Sequence, residues 1–353
     1  MRRALCCLLF ACAAASPACV HKHRGGSAGP PRSYHMGFSW LPPTPNLNSA
    51  LQTVDAFAPH ADSALILVSP PWQALLNGGD PTALVTANEL GLAQLYRGRG
   101  LDVVVSIDPT DGTDRSRNAP ELVTAGRSLA EPAVQALFRD YAVAMAVLLQ
   151  PRYLSLASET NLVRQATLTV DPTIYDGVRQ AAIDAAAAIR LVDAEVQLFA
   201  TIQVEVAWGL PGGSYQGIAT DLADFPFVQA IGLSSYPFLG GITNPDALAD
   251  DYYGRIAGDA ALPVLMIEGG WPSVPYGALL SDEATQVHYV RRNAELLDLA
   301  GAVAWFQISF TDLVVAAWSP EVEPFANLGL VSTAFTAKPA LAAWDDERRR
   351  PLQ

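Results

Sequence analysis

Beyond residue 19 this chain has no cysteine: Cys6, Cys7, Cys12 and Cys19 are the only four. The rest of the protein therefore has no disulfide, no cysteine nucleophile and no thiolate metal site. Histidine is scarce too, with five in the chain. His35, His60 and His288 are isolated, which argues against a histidine-bound metal. Charge is thin, at 16% of residues, and acids outnumber bases 35 to 22. A net charge of -13 disfavours nucleic acid or an anionic membrane surface as partner. Neutral polymers such as polysaccharides remain compatible with it. There is no G-x-S-x-G elbow, no Walker motif and no dinucleotide-binding fingerprint, which weakens esterase and nucleotide-binding readings. No cofactor or metal is expected.

The N-terminus carries an export pattern. Arg2 and Arg3 precede an apolar run over 4–15, followed by Ser16-Pro17-Ala18-Cys19. These are the charged, apolar and small-residue parts of a signal peptide, here 1–18. The run is too short to span a bilayer. Cys19 directly after the cleavage site matches a bacterial lipoprotein, whose acylated cysteine would attach the protein to a membrane. Ser16 stands where such signals carry Leu, so plain cleavage after Ala18, and secretion, is the alternative. Residues 19–33, rich in Gly, Pro and basic residues, are expected to form a flexible tether. His21 and His23 fall in it and are read as solvated.

From Tyr34 onward a short apolar run ending in polar or Gly/Pro residues alternates with a longer stretch at helical spacing. Eight such runs occur, at 34–40, 64–69, 102–108, 153–159, 197–203, 228–236, 263–268 and 302–309. Helical stretches are expected at 81–97, 120–149, 172–191, 245–258 and 282–299, with weaker ones at 47–57 and 216–224. Several open with Pro in the first turn, where its missing N–H costs nothing. Near-continuously apolar strands alternating with helices imply a parallel sheet covered on both faces. Eight units imply closure into a (βα)8 TIM barrel of α/β class: one domain over 34–347, a tail at 348–353, expected as a monomer.

In such barrels the active site forms at the C-terminal strand ends. The polar and aromatic residues there are Ser39 and Trp40, Trp72, Asp108, Glu159, Gln203 and Glu205, Ser234, Ser235 and Tyr236, Glu268, and Gln307. Glu159 and Glu268 each close an apolar strand, where a charge is costly unless paired or functional. Either alone could be a rim salt bridge. Together, on the fourth and seventh strands, they suit acid and nucleophile, with aromatic faces to stack on sugar rings. Asp108, Asp111 and Asp114 recur at spacing three but lack the pattern of an EF-hand, and are read as a solvated loop, with a loop-bound calcium as the alternative.

Paired glutamates on these strands resemble clan A glycoside hydrolases, retaining enzymes on (βα)8 barrels. Within the clan the chain most resembles family 53, the endo-β-1,4-galactanases of arabinogalactan. Ile231-Gly232-Leu233-Ser234-Ser235-Tyr236-Pro237-Phe238 resembles that family's sixth-strand motif, and Glu268-Gly269-Gly270-Trp271-Pro272 its nucleophile motif. Gly329-Leu330-Val331, Lys338-Pro339-Ala340 and Trp344 resemble the clan's closing segment. The resemblance implies a retaining hydrolase of β-linked polysaccharide or oligosaccharide. Glu159 would be the general acid/base, with a raised pKa, and Glu268 the ionised nucleophile, their carboxyls about 5–5.5 Å apart. Tyr236 would hydrogen-bond Glu268 and Trp271 would form a stacking platform. Trp40, Trp72, Asp108, Asn161, Gln203 and Gln307 are further substrate-binding candidates.

The chain departs from the clan pattern in three places. Ser158 stands where Asn usually precedes the acid/base, leaving Asn161 as the nearest substitute. Ser69-Pro70-Pro71-Trp72 replaces an expected arginine. The eighth strand, Trp305-Phe306-Gln307-Ile308, offers Trp305 only in shifted register. These departures motivate a second reading, a catalytically silent glycan-binding surface lipoprotein, and a third, an interaction protein that kept the fold without its chemistry.

Overall fold

The structure, a computed structural model, describes residues 29–353. The signal segment and Cys19 lie outside the described residues. Eight parallel strands close into a barrel in chain order. They are β1 (His35–Ser39), β2 (Ser63–Val68), β3 (Asp102–Ile107), β4 (Tyr153–Ser155), β5 (Gln197–Gln203), β6 (Ala230–Ser235), β7 (Val264–Gly269) and β8 (Ala304–Gln307). β1 pairs with both β2 and β8, which seals the ring. Each strand falls inside one of the expected runs or overruns it by a residue.

Alternation along each strand splits its side chains between two environments. Leu65, Val104, Phe199, Leu265, Ile267 and Phe306 fill the barrel interior. Their neighbours Ile66, Val105, Met266 and Trp305 turn outward into the core beneath the helices. Gly232 is required inside: a Cβ there would lie 2.6 Å from Thr201 and 2.9 Å from Phe199. Trp344, on the closing helix Pro339–Arg348, packs on Phe38 at 4.6 Å and Trp305 at 4.5 Å.

The helices depart from expectation where a local feature breaks the pattern. Pro81–Asn88 and Leu90–Gly98 are parted only at Glu89, whose backbone stays in the right-handed helical region at φ −113° and whose carboxylate is buried against the Tyr141 hydroxyl at 3.1 Å. The 120–149 stretch divides into Pro120–Thr124 and Pro132–Leu149, with Gly126 at φ +63° and Pro132 opening the second helix. The 245–258 stretch is mostly turn, with one 3-10 turn at Pro245–Ala247 and a helix at Gly254–Ala260. Leu47–Phe57, Pro172–Val192 and Glu283–Ala300 stand close to where they were expected.

Both ends of the folded unit reach further than 34–347. Arg32 is buried, ion-paired to Asp62 at 2.8 Å, and its N–H donates to the Pro351 carbonyl at 2.8 Å. The expected tether therefore gives way to folded chain before residue 33, and 348–353 are no free tail. Periodicity could not reveal this, because the pairing joins the two ends of the sequence.

Candidate active site

The site is built at the C-terminal ends of β4 to β7. β4 stops at Ser155, and the chain runs on through Leu156 and Ala157, still hydrogen-bonded to β5. Glu159 then adopts a left-handed backbone, φ 47° and ψ 50°, and starts the helix Thr160–Thr167. Its N–H donates to the Thr201 hydroxyl at 2.7 Å. A non-glycine residue in this region is uncommon, and such conformations gather at functional sites.

At the other wall, the β6–β7 register shifts between Leu233 and Ser234. Leu233 faces Met266, yet Ser234 faces Glu268, so Ile267 is the extra residue of a bulge. The bulge places Glu268 beside Ser234, whose hydroxyl donates to the Glu159 carboxylate at 2.6 Å. The two glutamates thus come to one pocket of about 570 Å³, with Tyr236, Gln203 and Arg115 also lining it. Its outer wall is apolar, including Leu41, Ile308, Leu313 and Phe325.

Electrostatics distinguish the two carboxylates. Arg115, on the loop after β3, donates its Nε to Glu159 at 2.9 Å and pairs through Nη1 with Asp108. Burial opposes its charge, but Asp108 and Glu159 outweigh that and raise its pKa above the ordinary arginine value. Glu268 accepts from the Tyr236 hydroxyl at 3.3 Å. Burial, and then the neighbouring Glu159 carboxylate, push the Glu268 carboxyl up to about 7, against the opposing pull of Arg115. The residue expected to be the ionised nucleophile is thus the one whose pKa burial raises. Arg115 contacts the Glu159 carboxylate directly and acts on Glu268 only at longer range.

Beneath the pocket lies Glu205, a buried carboxylate that, among the described residues, has no cation bonded to it. It accepts from Gln203 Nε2, from the Ser235 hydroxyl at 2.7 Å, from the Tyr236 N–H at 3.1 Å and from the Tyr252 hydroxyl at 2.8 Å. Burial raises its pKa. The contact to the Tyr236 backbone fixes the residue that hydrogen-bonds Glu268.

Other expected substrate-binding residues fare unevenly. Gln203 lines the pocket, but both its polar atoms are taken, one by Glu205 and one by the Val206 N–H at 2.7 Å. Asp108 lines a smaller adjoining pocket of about 210 Å³ and holds Arg115. Trp40 is partly exposed and lines a neighbouring groove.

Five expectations need correction. Trp72 is fully buried, packed on Phe138, because Pro70 and Pro71 carry it over the rim into the helix layer. Trp271 is fully buried, stacked on Tyr289 at 5.5 Å with its Nε1 donating to Ser281, so it offers no sugar platform. Asn161 is buried and exchanges hydrogen bonds with the backbone of Gln203, both at 2.8 Å. Gln307 is buried, donating to the Leu328 carbonyl at 2.8 Å. Trp305 turns away from the interior, onto Tyr34 and Trp344.

Sequence reasoning missed Arg115. The signal was the aspartate-rich loop itself: Arg115 and Arg117 pair with Asp108, Asp111 and Asp114, so the loop closes on its own arginines. Among the described residues, no group of three or more His, Cys, Asp or Glu is gathered as a metal site requires.

No family model matches the chain, and no curated protein matches it. Solved structures do. The exo-β-1,4-mannosidase Op5Man5 from Opitutaceae bacterium strain TAV5 aligns at 17% identity and a TM-score of 0.68, over 92% of this chain and 62% of that one. GH5_18 from Bifidobacterium longum subsp. longum aligns at 15% identity and a TM-score of 0.66, over 91% and 81%. A β-glucuronidase from an uncultured Clostridium aligns at 13% identity and a TM-score of 0.58, over 90% and 50%. The chain spans less than two thirds of the length of the mannosidase and the glucuronidase. At these identities the likeness shows the (βα)8 barrel fold.

Proposed function

We propose that this protein is a retaining glycosidase of β-linked glycans, with Glu159 as general acid/base and Glu268 as nucleophile. One observation carries the reading: glutamates at the ends of β4 and β7 line one pocket, and Ser234, the strand neighbour of Glu268, donates its hydroxyl to Glu159. The named activities of the structural neighbours, a mannosidase and a glucuronidase among them, agree with it. Galactan specificity rests on the β6 and β7 motifs alone. Export, with or without a lipid on Cys19, rests on the N-terminal pattern alone and would place the enzyme where polymeric glycans are found.

The chemistry follows from the pair sharing one proton. The raised pKa of Glu268 favours holding that proton there. The reactive form is the other tautomer, with Glu159 protonated and Glu268 ionised. Glu159 then protonates the leaving oxygen while Glu268 attacks the anomeric carbon. Water completes the second displacement, with Glu159 now the base. Activity should fall as pH rises through about 7, where the pair loses its shared proton.

The test is release of reducing sugar from a panel of β-glycans and aryl β-glycosides. Glu159→Ala and Glu268→Ala should each lower the rate by at least about 10²-fold. Full activity in either variant would overturn the assignment. A second reading, glycan binding without turnover, is favoured by the Arg115–Glu159 ion pair and by Asn161 being tied to β5. Binding by the unmutated protein with no release from any substrate would establish it.

A further inference from the structure

The candidate active site has two compartments of unlike chemistry. The pocket of about 570 Å³ and the adjoining one of about 210 Å³ share Ser69, Gly112, Arg115 and Glu268 in their linings. The larger is walled mostly by apolar side chains, among them Leu239, Ile308, Val322 and Phe325. The smaller is mostly polar, and two of its residues, Ser106 and Ser158, line it alone.

Strand alternation accounts for the change of polarity. On β3 the side chains facing the barrel axis run Val104, Ser106 and, just past the strand end, Asp108. Val104 belongs to the apolar interior, and Ser106 one step above it opens the polar floor of the small pocket. Ser158 reaches the same space from the loop after β4. Both serines are more than nine-tenths buried, at 2% and 6% exposure. Ser155 spends its hydroxyl on the Ala157 carbonyl at 3.0 Å, and Ser234 spends its own on Glu159. Asp108 has both oxygens taken, by Thr110 and Arg115. Among the described residues, the Ser106 and Ser158 hydroxyls have no hydrogen-bond partner and face the small pocket. Buried hydroxyls are costly to leave unbonded, so this space suits a guest rich in hydroxyls.

The two glutamates divide between the compartments. Glu268 lines both, whereas Glu159 lines only the larger. A nucleophile must touch the ring it attacks, and an acid must reach the oxygen of the leaving group.

We propose that the small pocket holds the sugar ring that is attacked, with the Ser106 and Ser158 hydroxyls bonded to hydroxyls of that ring, while the leaving group lies in the larger pocket. At about 210 Å³ the small pocket has the volume of about seven waters at about 30 Å³ each, which suits one ring and not a chain. Ser106 and Ser158 thus select the sugar, and the choice of leaving group is made elsewhere. The inference rests on the glycosidase reading for the direction in which the substrate lies.

The test starts from 4-nitrophenyl β-D-mannoside, β-D-glucoside and β-D-galactoside, and continues with the deoxy forms of whichever sugar is cleaved fastest. Ser106→Ala and Ser158→Ala should each lower kcat/KM by about fivefold or more, the loss of one neutral hydrogen bond. Each loss should vanish on the one deoxy sugar that lacks the hydroxyl held by that serine. Replacing 4-nitrophenyl by a different aryl group should leave the size of the loss unchanged. Each substitution removes one oxygen that has no partner in the fold, so both variants should fold, which circular dichroism would check. The same loss on every deoxy sugar, or no loss in either variant, would overturn the proposal. Binding of the three methyl β-glycosides to the intact, unmutated protein, followed by calorimetry, separates this inference from the glycosidase reading. Binding without turnover that both serine variants weaken would sustain the sugar pocket and sink the hydrolase. Turnover or binding indifferent to both serines would sink the sugar pocket alone.

Discussion

The ends of β4 and β7 each deliver one glutamate to the same pocket by opposite means. At β4 the backbone is held in a left-handed conformation, and the Glu159 carboxylate is tied by a guanidinium at 2.9 Å and a hydroxyl at 2.6 Å. At β7 a bulge does the aiming, and the Glu268 carboxylate meets one phenol at 3.3 Å, with no cation in contact among the described residues. Burial therefore raises the pKa of the carboxyl at β7, while the one at β4 has a guanidinium in direct contact.

The largest expected effect separates the two glutamates by role. Glu268→Ala should lose on the order of 10³-fold or more in rate on every glycoside, because no bond to the anomeric carbon can form. Glu159→Ala should lose comparably on substrates with poor leaving groups. It should lose far less on a dinitrophenyl glycoside, which departs without protonation. Azide should restore turnover in Glu159→Ala with retained configuration, replacing the water that Glu159 would have activated. The same leaving-group dependence in both variants would break the comparison drawn between β4 and β7.

A smaller effect is expected from the cation. Arg115 bonds the Glu159 carboxylate and lowers the pKa of Glu268. Arg115→Met removes both influences, so the pair should keep its shared proton to higher pH. The fall in kcat/KM that begins near pH 7 should move up by about one unit or more. The variant should also lose some substrate affinity if Arg115 contacts the sugar. An unmoved alkaline limb would mean that Arg115 only braces Asp108 and the loop after β3.

The barrel was legible because its strands are short apolar runs bounded by polar residues, a pattern that covering helices impose. The two glutamates were legible for a related reason: an acid ending an apolar strand needs an explanation. Rim aromatics were not. Whether Trp72 or Trp271 faces the pocket depends on Pro70 and Pro71 in one loop and on the cover supplied by Ser281 in another. Both are three-dimensional facts. Trp305 and Phe306 illustrate the limit at single-residue scale, since one step of register decides which of them lies inside the barrel. Arg115 was hidden because it lies on a loop and only tertiary closure brings it to β4. Trp318, which also lines the pocket, lies likewise on a loop, after β8.

Asn161 gives the smallest expected effect on rate and the sharpest check on the β4 side. As the nearest asparagine to Glu159, it would read as a sugar ligand. In the fold its amide is spent instead, donating to the Gln203 carbonyl and accepting from the Gln203 N–H. It therefore latches the helix that follows Glu159 onto the end of β5. Asn161→Ala leaves both backbone groups of Gln203 without these partners in a buried place, at a cost of about 2 kcal/mol or more. Denaturant unfolding should report that loss, while kcat and KM of the folded protein change by less than about twofold. A tenfold rise in KM with unchanged stability would mean that the amide leaves Gln203 for the sugar, and that the β4 end supplies a substrate contact as well as a carboxylate.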